Sequence, residues 1–350
     1  MNVRHEGNES YKDFAFMAFF IERSEYLKMM RFILKKTRES ILTIIILSFG
    51  VFMISHLAPG DPLVSVYGSG SERLSNELRE KATKDLGLDK PLMYQYGIWV
   101  KNSMKSDLGY SYKYKMPVKD VIKTHLPNTV LLIGICLVLT FILSIILGLV
   151  TALNEGKLID KVITRFTTLL YCIPGFWISL ILILIFSVNL RILPSSGVYD
   201  IGKEGDLLNR ISHLILPLTV IIMGHLGYYS NFVRNKVLEE LKEDYILLAR
   251  AKGLSKFQII VRHPLKKIMP SIIILMSLSF SHLIAGGFVV EYIFSYPGLG
   301  QLIFESAKYH DYPLLMGGVM LTGIIVVFAS LVSDILSSLI DPRLKERGMN

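Results

Sequence analysis

The stretch DYILLARAKGLSKFQIIVRHPLKK, Asp244–Lys267, decides how the chain is read. It carries six Lys or Arg against one Asp, yet it lies between two long apolar runs that hold no charge at all. Its centre is Gly253. A glycine there suits the left-handed position that ends a helix, because it has no Cβ to clash. Ser255 follows, with Gln258 three residues on, the spacing of a capping box that starts a new helix. The pattern predicts a first helix over 235–252 and a second from Ser255, weakened at Pro264 before the next apolar run. On the first helix Leu241, Tyr245, Leu248, Ala249 and Lys252 share one face by helical spacing. Packing against neighbouring helices is the plain role for such a face; docking onto another protein is the sharper one.

Around this segment the chain is built for a membrane. Its 350 residues are 51% hydrophobic, with mean hydropathy +0.46. Six runs lack Asp, Glu, Lys and Arg: Ile41–Leu57, Thr129–Ala152, Phe166–Leu190, Leu214–Val233, Ile268–Val290 and Pro313–Ser333. Most approach the roughly 20 residues that a spanning helix needs. The net charge of +9 invites a nucleic-acid reading, but its placement argues otherwise. With the N-terminus inside, Lys plus Arg number 8, 3, 9 and 3 in the inner segments, against 3 and 1 in the short outer loops. That is the positive-inside asymmetry, with both termini cytoplasmic. The charge orients the protein in a lipid bilayer, and no nucleic-acid partner is expected.

The expected fold is an all-α, polytopic membrane protein of six transmembrane helices with a large extracytoplasmic loop after the first. That loop, about 58–128, opens on Pro59-Gly60-Asp61-Pro62, a cluster that ends the first helix. Within it 71–84 and 91–104 read as amphipathic helices, the second carrying Tyr94, Tyr96 and Trp99 for a headgroup interface. Leu126-Pro127-Asn128 introduces the second span. The expected division is 1–28, an N-terminal extension; 29–126, the first span and outer loop; 127–342, a permease-like domain of five helices with the loop 234–267; and 343–350, a tail. Residues 1–28 are read either as a cytoplasmic extension or as the product of a start assigned too early, with the second preferred.

Several residues inside the spans are candidates for a pathway or gate. Pro174-Gly175 interrupts the third run; Gly286-Gly287 lies in the fifth; His225 and His282 are ionisable groups at membrane depth. Small and helix-breaking residues usually serve packing, and a neutral histidine can simply bridge helices. An intramembrane ionisable group is nonetheless a functional suspect. Cys136 and Cys172 lie inside apolar runs and frame neither a disulfide set nor a metal cluster. No catalytic residue, bound cofactor or metal site is expected.

Asp244–Lys267 resembles the EAA loop of the inner-membrane permease subunits of ABC importers, in the form found in the peptide and nickel branch. The likeness continues in HLAPGDP (56–62), in the stretches 86–112, 117–132 and 173–197, in EYIFSYPGLGQLI (291–303), in DYPLLMGGVML (311–321) and in DPRLK (341–345). Leu247 stands where the general consensus has Glu; the stretch 263–270 is about one residue short; residues 1–28 match nothing in the family.

The resemblance implies a type I ABC importer permease fold. It also implies a coupling helix in the loop, with Asp244, Tyr245, Ala249, Arg250, Ala251, Lys252, Gly253 and Leu254 meeting a separate ATPase subunit. The implied assembly is a heterodimer with a second, similar permease, two ABC ATPase subunits and an extracytoplasmic substrate-binding protein. The outer loops, including the 297–300 segment, are expected to face that binding protein, and Pro297, Gly298 and Gly300 are also candidates for the pathway or gate. The chain contains no G-x-x-x-x-G-K-[ST] phosphate loop, so ATP and Mg are expected on the partner subunits. Short peptides are the expected cargo, with nickel or a metal–chelator complex as the alternative. An ion-coupled carrier would call for acidic residues in the apolar runs, and an intramembrane protease for paired carboxylates or H-E-x-x-H; the six runs hold no acid and no H-E-x-x-H occurs.

Overall fold

The computed structural model of the chain describes residues 6–57, 75–85, 89–111 and 113–340. The 59–62 breaker cluster, residues 71–74 and the DPRLK stretch lie outside the described residues.

The first helix, α1 (Glu6–Leu57), is continuous, and its part from Met29 is long and apolar enough to cross a bilayer. Two short helices follow, α2 (Asn76–Asp85) and α3 (Leu92–Met104), as the amphipathic stretches predict. A small antiparallel hairpin comes next, β1 (Tyr110–Ser111) with β2 (Met116–Pro117), which the sequence reading did not foresee. Then α4 (Val118–Leu153) begins more than two turns before the expected start of the second span and runs through Pro127. Pro127 is an interior proline, more than two turns into the helix, so the Lys123 carbonyl goes without the N–H that would otherwise bond to it.

The third span is broken. Its halves, α5 (Leu158–Cys172) and α6 (Gly175–Leu182, continued as π-helical turns over Ile183–Asn189), meet at 101°. The break falls at the Pro174-Gly175 interruption expected within the run 166–190, and the first half begins earlier, at Leu158. Pro174 has no N–H and forces Ile173 into extended backbone, φ −81° and ψ 129°, so the first half cannot continue. Pro174 then starts the second half, its carbonyl accepting from Trp177 and Ile178.

The remaining elements are α7 (Leu207–Glu240), α8 (Asp244–Ala251), α9 (Lys256–Arg262), α10 (Pro264–Ile293), α11 (Leu299–Lys308) and α12 (Tyr312–Ile340). Helices α1, α4, α7, α10 and α12 each qualify as spans, and α5–α6 makes a sixth when counted as one broken span.

The core lies where α4, α7 and α10 meet. Leu132, Ile133 and Cys136 of α4 pack with Leu216, Val220 and Ile221 of α7 and Leu283 and Ile284 of α10. Toward the α8–α9 end, Phe141, Tyr229, Val233, Val237, Ile260 and Ile268 continue it. Toward the hairpin end, Val118, Val121, Leu299, Leu302 and Leu314 form a third cluster. Helix α1 is peripheral: 11% of its apolar window is buried, against 33% for α4 and α7. It rests on α12, where Lys36 pairs with Asp334 at 3.2 Å.

Candidate functional site

Three regions carry the candidate residues, and the loop between α7 and α10 is the most specific. Helix α7 does not stop at the end of its apolar run but continues to Glu240. A tight turn over Leu241–Glu243 then starts α8 on a new axis. The single first helix over 235–252 is therefore two helices. Gly253 closes α8 at φ +75°, the left-handed conformation that its position predicts. Ser255 caps α9: its Oγ accepts from the Gln258 N–H at 3.3 Å, and the Gln258 Oε1 accepts from the Ser255 N–H at 3.0 Å. Pro264 occupies the first turn of α10 rather than weakening α9.

The buried face of α8 differs from the expected one. Ile246 and Ala249 point inward with Ile259, against Leu241 and Leu254. Tyr245 sits at the edge, and Leu248 is 61% exposed, as is Leu247 at 63%. The break at Leu241–Glu243 resets the helical phase, so a face counted through it does not carry over. Asp244, Arg250, Ala251, Lys252 and Gly253 are also exposed. A Cβ on Gly253 would meet nothing within 4 Å. The loop thus presents two exposed leucines beside Arg250 on a helix held firmly from behind.

Polar contacts supply that hold. The Tyr245 hydroxyl donates to Glu240 at 2.7 Å, and burial together with the Glu240 carboxylate pushes its pKa upward. Glu240 also pairs with Lys267 at 2.8 Å. The Lys256 Nζ donates to the carbonyls of Ala152, 3.1 Å, and Leu153, 2.9 Å. These are the last carbonyls of α4, which lack helical partners and attract positive charge. Nearby, buried Asp160 takes a bidentate contact from Arg234, both distances 2.7 Å. The sequence offered no signal for Lys256 or for Asp160–Arg234, because their partners lie far away in the chain.

The second region lies about midway along α7 and α10. The break at Pro174-Gly175 faces α7 and α10 across a cavity of about 330 Å³, which His225 and Gly286 also line. A neighbouring cavity of about 290 Å³ shares Tyr171 and His225 and adds His282. Five of the six intraspan candidates therefore come together. Gly287 does not: its Cβ would lie 2.7 Å from Ile133, so it serves close packing of α10 on α4.

The third region is the hairpin end. Glu291, fully buried, accepts from the Thr129 hydroxyl at 2.7 Å and the Gly300 N–H at 2.6 Å. Thr129 in turn accepts from the Leu299 N–H at 2.7 Å. Pro297 presents its carbonyl to Asn128 at 2.9 Å. A Cβ on Gly298 would strike the Glu291 carboxylate at 2.3 Å, and one on Gly300 the Phe288 backbone at 2.4 Å. Gly298 and Gly300 are buried, so they seat α11 and do not themselves form the outward surface expected of them. The hairpin docks beside α11. Ser111 donates to Asp311 at 2.6 Å, and Lys113 pairs with Glu305. Burial raises the Asp311 pKa; burial and Glu305 push that of Tyr114 up to about 12.

Comparison with known proteins agrees with this arrangement. Residues 144–346 match the family of binding-protein-dependent transport system inner membrane components, and residues 29–133 match its N-terminal companion. The oligopeptide transport system permease protein AppB of Bacillus subtilis is 35% identical, over 91% of this chain and all of that protein. The metal-staphylopine import system permease protein CntB of Staphylococcus aureus is 33% identical, over 91% and 99%. The dipeptide transport system permease protein DppB of Escherichia coli is 30% identical, over 91% and 100%. In fold, the chain resembles a structure of the MetNI methionine ABC transporter in an inward-facing conformation. The TM-score is 0.51 at 15% identity, covering 63% of this chain and 96% of that one. The chain belongs to the binding-protein-dependent transport system inner membrane component family.

Proposed function

We propose that this chain is a permease subunit of an ATP-driven importer that carries short peptides across the cell membrane. The observation that carries the reading is the hook formed by α8, Gly253 and α9. It is braced at Glu240 and at the end of α4, and it presents exposed Leu247, Leu248 and Arg250. A helix braced at both ends transmits force, and its exposed apolar pair suits a groove on an ATPase subunit. The end bearing this loop faces the cytoplasm, as the excess of Lys and Arg there favours. Both termini lie on that side, and the hairpin and α11 lie outside, where a substrate-binding protein docks.

ATP and Mg reside on two partner ATPase subunits, and this chain contributes no hydrolytic group. A second, similar permease completes the pathway, which runs along the face holding Pro174, Gly175, His225, His282 and Gly286. Polar groups at membrane depth are costly against lipid, which favours a protein-lined path at that face. ATP-driven closure then biases two arrangements of the spans through the hook.

The named cargoes of AppB and DppB support peptides. CntB supports a second reading, a metal–chelator complex. Uptake in a deletion strain separates them. Labelled di- to hexapeptides, and radioactive nickel with and without chelators, are supplied to cells complemented with the wild-type chain or with Gly253→Val. Peptide uptake restored only by the wild-type chain is the expected result. Restored nickel uptake with peptide uptake intact throughout would keep the machinery and change the cargo.

A further inference from the structure

The 290 Å³ cavity midway along α7 and α10 has a lining that packing alone does not call for. Tyr171 comes from α5; His225, Tyr228 and Tyr229 from α7; Ser279 and His282 from α10. Both histidines are already committed on one side. The Nδ1 of His225 lies 2.8 Å from the Ile221 carbonyl, and the Nδ1 of His282 lies 3.3 Å from that of Leu278. A carbonyl only accepts, so each Nδ1 carries the proton. Each Nε2 is then left with a lone pair, a hydrogen-bond acceptor.

The His225 ring stacks on Tyr229 at 6.1 Å between centroids, and Tyr171 stacks on Tyr228 at 6.3 Å. Gly286 lies beside His225, where a Cβ would make ordinary contact with that ring at 3.5 Å. Among the described residues, no Asp, Glu, Lys or Arg lines the cavity. The site therefore offers neutral acceptors and electron-rich ring faces, and no formal charge.

Such a lining fits one kind of group best, a cation that donates hydrogen bonds. Aromatic faces attract an ammonium through their quadrupole, and imidazole lone pairs accept its protons. A carboxylate in the same place would hold the ammonium too firmly. A pathway needs sites favourable enough to enter and weak enough to leave. A metal ion fits less well, because no group of three His, Cys, Asp or Glu able to hold one occurs among the described residues.

We propose that this cavity is a transient seat for the protonated amino terminus of the peptide cargo, with His225 and His282 as acceptors and the tyrosines as its walls. The proposal rests on the peptide reading and deepens it.

The test uses a reporter thiol at Leu278, which lines the cavity and is 42% exposed. Leu278→Cys is made together with Cys172→Ser, because Cys172 is itself an exposed thiol. The membrane complex is placed in nanodiscs without the binding protein, so that protein's own selectivity does not intervene. The rate of modification by a thiol reagent is read with tri-alanine, with N-acetyl-tri-alanine and with nickel ions.

Tri-alanine is expected to slow modification several-fold and the acetylated form to leave it unchanged. His225→Leu with His282→Leu should abolish the protection. His225→Gln with His282→Gln, which keeps an acceptor at each position, should retain part of it. Equal protection by the two peptides, no protection by either, or protection by nickel alone would overturn the proposal. The comparison of the two peptides needs no histidine variant, so it stands even where the leucine pair fails to fold. Uptake by the same complex with its binding protein is measured alongside. Absence of peptide uptake would defeat the cargo reading; uptake without amine-dependent protection would defeat this inference alone.

Discussion

Lys256, the first residue of α9, reaches across to α4 and donates to the main-chain oxygens of both Ala152 and Leu153. The contact joins the hook to a span that packs extensively on α7 and contributes to the central core. The proposed coupling hook is therefore tied to the central bundle by a direct polar strut as well as along the chain.

The first prediction concerns that strut. Lys256→Met should leave ATP hydrolysis by the complex in place while lowering the cargo moved per ATP. Lys256→Arg, which can still donate to both carbonyls, should restore most of the coupling. Transport and hydrolysis measured together on one preparation decide the point. An equal fall in both would mean that Lys256 only holds the loop in shape.

Gly253 is strained for any other residue, because its φ of +75° disfavours side chains although the surrounding space is open. A β-branched residue there should cost about 1–2 kcal/mol locally. The expected outcome for Gly253→Val is normal insertion with transport largely uncoupled from hydrolysis, and Gly253→Asn should be milder, since asparagine tolerates this conformation. Wild-type uptake by the valine variant would refute the assignment of this turn to coupling.

Glu291 organises the hairpin end. Glu291→Ala strips partners from Thr129 and from the Gly300 N–H in a buried site. Each orphaned donor costs about 1–3 kcal/mol. A lowered melting temperature in detergent is expected, with easier proteolysis near α11. Gly300→Ala should act similarly, since its Cβ would strike both the backbone and the side chain of Phe288.

Arg234→Ala leaves the buried Asp160 carboxylate without its bidentate partner. The expected loss is about 2 kcal/mol, in line with charged hydrogen bonds. Because α5 and α7 are joined there, the break should loosen the inner half of the third span. A double-mutant cycle with Asp160→Asn measures the pair; a coupling energy near zero would show that the contact is dispensable.

Much of this arrangement was legible locally. Gly253 and the Ser255–Gln258 box are short-range signals, and the backbone follows both. The spans were legible because uncharged runs of that length have few other homes. What failed were readings that needed a phase or a direction in space. The inward face of α8 was miscounted because the turn at Leu241–Glu243 resets the helix axis. Pro174 marked an interruption, but nothing local shows that its two halves meet at 101°. Gly298 and Gly300 were placed in an outward segment, yet the buried Glu291 carboxylate draws them inward. The ties from Lys256 to α4 and from Arg234 to Asp160 span long stretches of chain, and a single sequence carries no trace of such pairings.

The central claim is that the exposed side of α8 meets the energy-supplying subunit. The most direct measurement places a photo-crosslinking residue at Leu248 in the membrane complex, with Phe328 on α12 as an equally exposed control. The expected product joins position 248 to the ATPase subunit, identified by mass, with none from position 328. Crosslinking of position 248 only to lipid or to this chain itself would contradict the docking of α8 and, with it, the proposed route of coupling.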